Sequence, residues 1–314
     1  MKSATALSRP LILAAAIAMA SASWLSPVHA AGTSPVVKIN EATAQADITV
    51  EKLRGNVTVL SGSGGNITVY DDPEGKFIID AGIAVSKDKI TAKLKEMGPS
   101  PLKYLVNTHY HWDHTDGNVW MHQAGAIIIG TPQTEHHLSE PTRVDDWDFT
   151  FTPLPKEARP SIIVNGSKTM QFGGERIVMK NFGKGHTDSD IWVHLEKADV
   201  LALGDIFWNA YYPFIDNENG GGINTAITWA DKAIAAATDH TIIVPGHGAV
   251  GSKADLIAWR DMLVNVRDQV AQLKKQGKSL EQIQAAKPTA AYDSKFGGFV
   301  IDGNFFTKLV YDGL

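Results

Sequence analysis

The 314-residue chain contains no cysteine, which excludes a disulfide framework, a thiolate nucleophile and a thiolate ligand. A metal held by this protein must be held through nitrogen and oxygen. An excess of positive charge is also missing, since 29 Lys and Arg stand against 34 Asp and Glu, a balance that opposes nucleic acid as a partner. There is no apolar run of about 20 residues, the length a membrane-spanning helix needs. The longest, Leu11 to Leu25, is shorter and heavy in Ala and Ser. With Lys2 and Arg9 before it and Val28-His29-Ala30 after it, the run reads as a secretory signal over residues 1–30, cut after Ala30. The mature chain is then expected in the periplasm or outside the cell, with no membrane attachment. Taking Lys2 and Arg9 from the 29 basic residues leaves 27 against 34 acidic ones, a formal charge of −7. Internal repeats and low-complexity segments are absent from this mature part.

What is present is a chain of ordinary composition, 44% hydrophobic, long enough for one large domain. Residues 31–47 are polar and read as a flexible segment, and 48–314 as the folded domain. Alternating apolar residues over Val57–Leu60 and Asn66–Tyr70 flank Gly62–Gly65, the pattern of a hairpin. Lys76 to Gly82 reads as a buried strand ending in a turn, Ser86 to Met97 as an amphipathic helix, and Leu102 to Thr108 as another strand. Short helix, strand and helix follow to Thr142, then an irregular loop from Arg143 to Arg159 rich in Asp, Pro, Phe and Trp. Strands resume over Thr169–Phe172, Glu175–Asn181, Asp190–Leu195 and Val200–Leu203. A helix over Ile223–Thr238, a strand over Thr241–Val244 and a long helix over Ser252–Gln276 complete the second half, with further helix toward Leu314.

The strand ending at Thr108 delivers His109-Tyr110-His111-Trp112-Asp113-His114, four potential metal ligands within six residues. Histidines at i and i+2 on extended backbone point to one side and can chelate one cation together. Asp113 and His114 come where the chain must turn, which re-aims them toward a second cation. Three further strand ends carry a ligand type in a glycine-flanked turn: Gly185-His186-Thr187, Gly204-Asp205 and Pro245-Gly246-His247-Gly248. Glycine there lets a cation approach without meeting a Cβ. His122, His136, His137, His194 and His240 lack such placement and read as surface or structural.

Together these residues resemble the metallo-β-lactamase superfamily over roughly Val57 to Gly248. The resemblance implies an αββα four-layer sandwich with C-terminal helices. It further implies a first metal on His109, His111 and His186, a second on Asp113, His114 and His247, and Asp205 bridging them together with a shared water or hydroxide. Asp80 matches the early Asp that hydrogen-bonds the metal loop. Two zinc ions are the expected cofactor, with Fe or Mn as alternatives. Cations holding neutral imidazoles can pull a bound water's pKa toward about 7, and Asp113 can hold or accept its proton.

The departures bear on substrate. Asp205 fills a slot that some β-lactamases of the superfamily fill with cysteine, and with His114 it resembles the set of its thioesterases and lactonases. Phe207 and Trp208 stand where lactam-cleaving members typically place Lys or Ser. Asp116-Gly117 replaces a glycine pair, and Lys184 replaces a common Pro, either to bind an anionic substrate or as a solvated loop lysine. Trp208, Tyr211, Tyr212 and Phe214 form one expected pocket wall, and Trp147 to Phe151 the other, unless these aromatics only pack the loops. Tyr211 or Tyr212 is the candidate hydrogen-bond donor to a substrate carbonyl, as in similar lactonases. The expectation is a small-molecule hydrolase acting on an ester, lactone, thioester or β-lactam carbonyl, of unassigned oligomeric state. The rivals are an iron-dependent sulfur oxygenase and a non-catalytic metal-binding accessory protein. The related nucleases fit less well, because they carry an inserted domain for which this chain has no room. Glyoxalase-type hydrolysis fits the ligands but not export.

Overall fold

Strands buried on both faces dictate the architecture. In a strand, successive side chains point to opposite sides, so each such strand feeds two apolar layers. The computed structural model describes Met1 and residues 34–314, and the expected signal over 1–30 lies almost wholly outside the described residues. Helix α1 spans Pro35–Gln45. Next come β1 (Thr49–Lys52), β2 (Val57–Ser61), β3 (Ile67–Asp72), β4 (Gly75–Ile79), helix α2 (Lys87–Met97) and β5 (Leu102–Val106). Short helices α3 (Trp112–Thr115) and α4 (Asn118–Gln123), β6 (Ile127–Gly130) and α5 (Pro132–Ser139) follow. A two-stranded ribbon, β7 (Thr142–Val144) with β8 (Phe149–Phe151), precedes β9 (Ile162–Ile163). Strands β1 to β6 and β9 form a seven-stranded sheet in that order.

The second sheet has six strands in sequence order: β10 (Ser167–Phe172), β11 (Glu175–Lys180), β12 (Trp192–Leu195), β13 (Val200–Ala202), β14 (Ile242–Val244) and β15 (Gly251–Ser252). Helix α6 (Ile223–Ala236) crosses between β13 and β14, and α7 (Lys253–Lys275), α8 (Leu280–Ala285), α9 (Asp293–Phe296) and α10 (Gly303–Asp312) close the chain. The long α7 begins with a capping box in which Ser252 and Asp255 exchange side-chain and backbone hydrogen bonds, a reciprocal satisfaction of helix-start donors.

Phe77, Ile79, Val106 and Ile129 of the first sheet meet Ile177, Met179, Val193, Val200 and Val244 of the second in one buried cluster. Their strand neighbours Ile78, Leu105 and Ile128 point the other way, onto Ile90 and Leu94 of α2 and Trp120 and Met121 of α4. Trp192, Leu201 and Ile243 point onto α6, α7 and α10 through Ala230, Ala233, Leu256, Trp259 and Leu309. Helix, sheet, sheet and helix thus stack as an αββα four-layer sandwich with C-terminal helices. Among the described residues no helix is long and apolar enough to cross a membrane.

Two expectations differ from the structure. Residues 35–45, expected within a flexible segment, form α1: Ser34 caps its start, Pro35 sits in the first turn where it costs no hydrogen bond, and Val36 is buried. The Arg143–Arg159 loop contains the β7–β8 ribbon, whose Trp147 and Phe151 pack on Trp112.

Candidate metal centre

Parallel pairing decides where the ligands gather. β4 runs parallel to β5 in one sheet and β13 parallel to β14 in the other, so the C-terminal ends of each pair share an edge. β11, separated from β13 by the antiparallel β12, ends on the same side. The turns after β5, β11, β13 and β14 bring seven buried donors together in two groups, His109, His111, His186 and Asp205, and Asp113, His114 and His247, with donor atoms of each group within 4.8 Å of one another.

Asp205 faces both groups. Its Oδ2 lies 3.7 Å from His109 Nε2 and 3.5 Å from His186 Nε2. Its Oδ1 lies 3.0 Å from His114 Nε2 and 3.4 Å from His247 Nε2. Asp113 Oδ2 completes the second group, 3.2 Å from His247 Nε2 and 3.6 Å from His114 Nε2.

Whether these residues fit cations is decided by the atoms left without partners. His109 Nε2, His114 Nε2, His247 Nε2 and Asp205 Oδ1 are buried and have no satisfactory hydrogen bond, a condition that costs about 1–3 kcal/mol per group unless something fills it. On four of the five histidines the opposite ring nitrogen is held. His114 Nδ1 donates to Asp80 Oδ2 at 2.8 Å, His186 Nδ1 to the Phe214 carbonyl at 2.8 Å, and His111 Nε2 to Asp216 Oδ2 at 3.1 Å. His109 Nδ1 meets Thr108 Oγ1 at 3.1 Å, and the Thr108 hydroxyl in turn donates to Asp80 Oδ2 at 2.8 Å. With the outward nitrogen protonated, the inward one presents a lone pair, the arrangement a metal-binding histidine needs. The donor set therefore fits two cations.

Charge reinforces the picture. Burial alone would raise the Asp205 carboxyl, but His114, His247 and His109 around it hold it well below the ordinary carboxylate range. Burial pushes His109 well down and His186 down to about 4, with the neighbouring histidines adding to it. His114 is pushed well up and His247 up to about 9, because Asp205 and Asp113 outweigh their burial.

Glycines leave the room. A Cβ at Gly65 would collide with the His114 ring, and one at Gly246 with Asp205 Oδ1. Asp80 itself adopts φ +65° at the end of β4, a left-handed conformation uncommon for a side-chain-bearing residue. Its carboxylate is tied there by the Thr108 N–H at 2.7 Å.

Asp216, which sequence reasoning did not single out, is buried and grips the back of His111. It also accepts from the Tyr110 hydroxyl and, at 3.0 Å, from the backbone N–H of Asn219. Burial opposes its ionisation, yet His111 and Tyr110 hold its pKa down to about 2. No glycine-flanked strand end marks it in the sequence.

The expected substrate residues separate. Trp208 lies tilted against His247 with ring centroids 4.2 Å apart, and its indole N–H is buried without an acceptor. Tyr211 is half-buried beside it. Tyr212 is a correction: it is fully buried, and its hydroxyl is spent on the Thr289 carbonyl and Asp293 Oδ1 at 3.1 and 2.9 Å, so it has no hydroxyl to offer a substrate. Ala210, at φ +62°, turns the chain between the Trp208 side and the core that takes Tyr212. Trp147 lies one layer back, edge-on to Phe214 at 5.1 Å, and it is Phe214 that meets His111 and His186 at 5.9 and 6.2 Å. Lys184 is exposed, and its carbonyl accepts from Trp229 Nε1. Among the described residues no hydrogen bond or ion pair ties its ammonium to either group.

A four-layer sandwich with buried His and Asp donors converging on one edge of its paired sheets defines a metal-dependent hydrolase. The chain belongs to the metallo-beta-lactamase superfamily, whose model matches residues 60–247. It is 25% identical over 228 residues to a metallo-beta-lactamase type 2 of Bacillus cereus, a match that covers 69% of this chain and 82% of that one. Among solved structures, DIM-1 metallo-beta-lactamase aligns at TM-score 0.55 and 20% identity over 69% of this chain and 97% of its own. The sec-alkylsulfatase Pisa1 from Pseudomonas sp. aligns at TM-score 0.60 and 14% identity over 87% of this chain and 51% of its own.

Proposed function

We propose that the protein is a dinuclear zinc-dependent hydrolase that cleaves a small-molecule ester, lactone, thioester or β-lactam at its carbonyl, exported to the periplasm or beyond after cleavage of residues 1–30. The observation that carries this reading is the division of Asp205, one oxygen toward each donor group. His109, His111 and His186 would hold one cation, Asp113, His114 and His247 the other, and Asp205 both. Cations there would supply hydroxide at neutral pH and polarise a carbonyl oxygen.

The chain's own residues do the rest. Asp113 has the more exposed carboxylate of the two acids in the site, 9% against 2% for Asp205, which makes it the group to take the proton of an attacking water and return it to the leaving atom. Asp80, Asp216, Thr108 and the Phe214 carbonyl fix the ring orientations, so little reorganisation is needed when substrate binds. Trp208 and Phe214 shield the two groups from bulk water on opposite flanks.

Metal content measured on the purified protein, beside turnover on paired lactam, lactone and thioester panels, tests the reading. Two zinc ions per chain with hydrolysis abolished in His109→Ala/His111→Ala is the expected result. Less than one metal per chain, with hydrolysis unchanged in the double variant, would overturn it. A single iron with oxygen consumption would instead favour an oxygenase.

A further inference from the structure

The turn between α9 and α10 lies beyond the matched family region, yet it reaches the metal centre. Phe296 and Ile301 anchor it in the core, while Gly297-Gly298-Phe299-Val300 forms the tip. Phe299 is 46% and Val300 38% exposed, the only two consecutive residues among the exposed large hydrophobics of the described chain. Exposed aromatic surface beside a catalytic cleft is a mark of recognition, since folding alone gains nothing from it.

The Phe299 ring lies 4.9 Å from Tyr211, 6.1 Å from Trp208 and 6.0 Å from the His247 imidazole, centroid to centroid. On the far side of the same segment, Phe305 in the first turn of α10 stands 6.4 Å from Phe214, the residue against His111 and His186. The C-terminal segment thus flanks both donor groups. The cation–aromatic pairs of the described residues involve none of Trp208, Tyr211 and Phe299, and Lys295 lies over Phe296 instead. An apolar group laid against these rings gains contact area.

We propose that Phe299 is a specificity-determining residue that, with Tyr211 and backed by the buried Trp208, grips the uncharged aryl or medium-chain alkyl part of the substrate next to the Asp113, His114 and His247 group. The inference rests on the hydrolase reading for its substrate class. The slot itself does not depend on turnover. Because Phe299 is half exposed, its replacement leaves the core intact.

The test has a binding arm and a turnover arm, both on the metal-loaded protein. Phenylacetamide, a neutral probe, is titrated against tryptophan fluorescence. Its Kd is expected to rise about tenfold in Phe299→Ala and to recover to within about threefold of the original in Phe299→Tyr. In hydrolysis of methyl esters, Phe299→Ala is expected to raise KM for methyl phenylacetate about tenfold with kcat held, and to leave kcat/KM for methyl acetate within about twofold. An unchanged phenylacetamide Kd, or equal losses on both esters, overturns the proposal. If no ester turns over while phenylacetamide still binds in a Phe299-dependent way, ester hydrolysis is excluded as the activity and the recognition loop stands.

Discussion

Asp216→Asn asks how far the first donor group is prepared by a residue outside it. His111 turns Nδ1 toward the group, 3.0 Å from His186 Nε2, and that nitrogen serves a cation only with its lone pair free. The ring proton must then sit on Nε2, where Asp216 Oδ2 receives it at 3.1 Å. Asparagine has the same size but cannot satisfy both sides. If its carbonyl oxygen stays with the Asn219 donors, its NH2 faces His111 and favours the proton on Nδ1, the wrong tautomer. If it flips, the NH2 meets the Asn219 N–H groups instead. Either way a hydrogen bond to a charged acceptor is lost, worth about 1.5–3 kcal/mol, which corresponds to about 10–100-fold in metal affinity. The loss should fall on one site only, because among the described residues no hydrogen bond or ion pair links Asp216 to Asp113, His114 or His247. Zinc titrated against a competing chelator separates the two binding steps. The variant should weaken one and spare the other, with unchanged circular dichroism. Two unchanged steps, or two equally weakened, would refute the reasoning.

Two further outcomes follow from residues far from the metal centre. Lys76 is buried and donates to the Gly98 and Ser100 carbonyls, both at 3.0 Å, beside Asp71 at 3.2 Å. Lys76→Met strands those acceptors and should lower unfolding stability in urea by about 2–4 kcal/mol; a loss under about 0.5 kcal/mol would show that the lysine contributes only bulk. At the start of α7, the Ser252 hydroxyl and backbone N–H hold the Asp255 carboxyl below its ordinary pKa. A depressed acid stabilises the fold fully above its unfolded value of about 3.9 and stops doing so as pH falls through the lower folded value. Asp255→Ala should therefore cost about 1 kcal/mol at pH 7, and parallel melts of the two proteins should converge in acid; a gap that widens there would contradict the cap.

The cluster of seven donor residues was legible because each is a chemically distinctive residue at a strand end, and strand ends are marked locally by glycine and by the loss of alternation. Asp216 was not, since what makes it important is the approach of His111 from 105 positions away, which no local pattern announces. Tyr211 and Tyr212 look equivalent in sequence. The left-handed turn at Ala210 sends one toward the cleft and the other into the core, and a positive φ at alanine leaves no compositional trace. Trp147 misled for a related reason: an aromatic in an irregular loop can line a pocket or back the residue that lines it, and here Phe214 intervenes. The helix α1 did carry its signal, Ser34 followed by Pro35, but its apolar face is too thin to stand out from a polar segment. Phe299 lay in a region read only as helical, where a Gly-Gly pair before an aromatic now marks an exposed tip.

The donor residues are shared between the halves of the molecule. His109, His111, Asp113 and His114 follow a strand of the first sheet, while His186, Asp205 and His247 follow strands of the second. Cations bound here would fasten the two sheets together across their common edge, acting as the cross-link that a chain without cysteine cannot form by oxidation. Binding only the folded state, a ligand at about 1,000 times its Kd adds about 4 kcal/mol to the unfolding free energy. The supply of metal would then govern how long each molecule survives, as well as how fast it works.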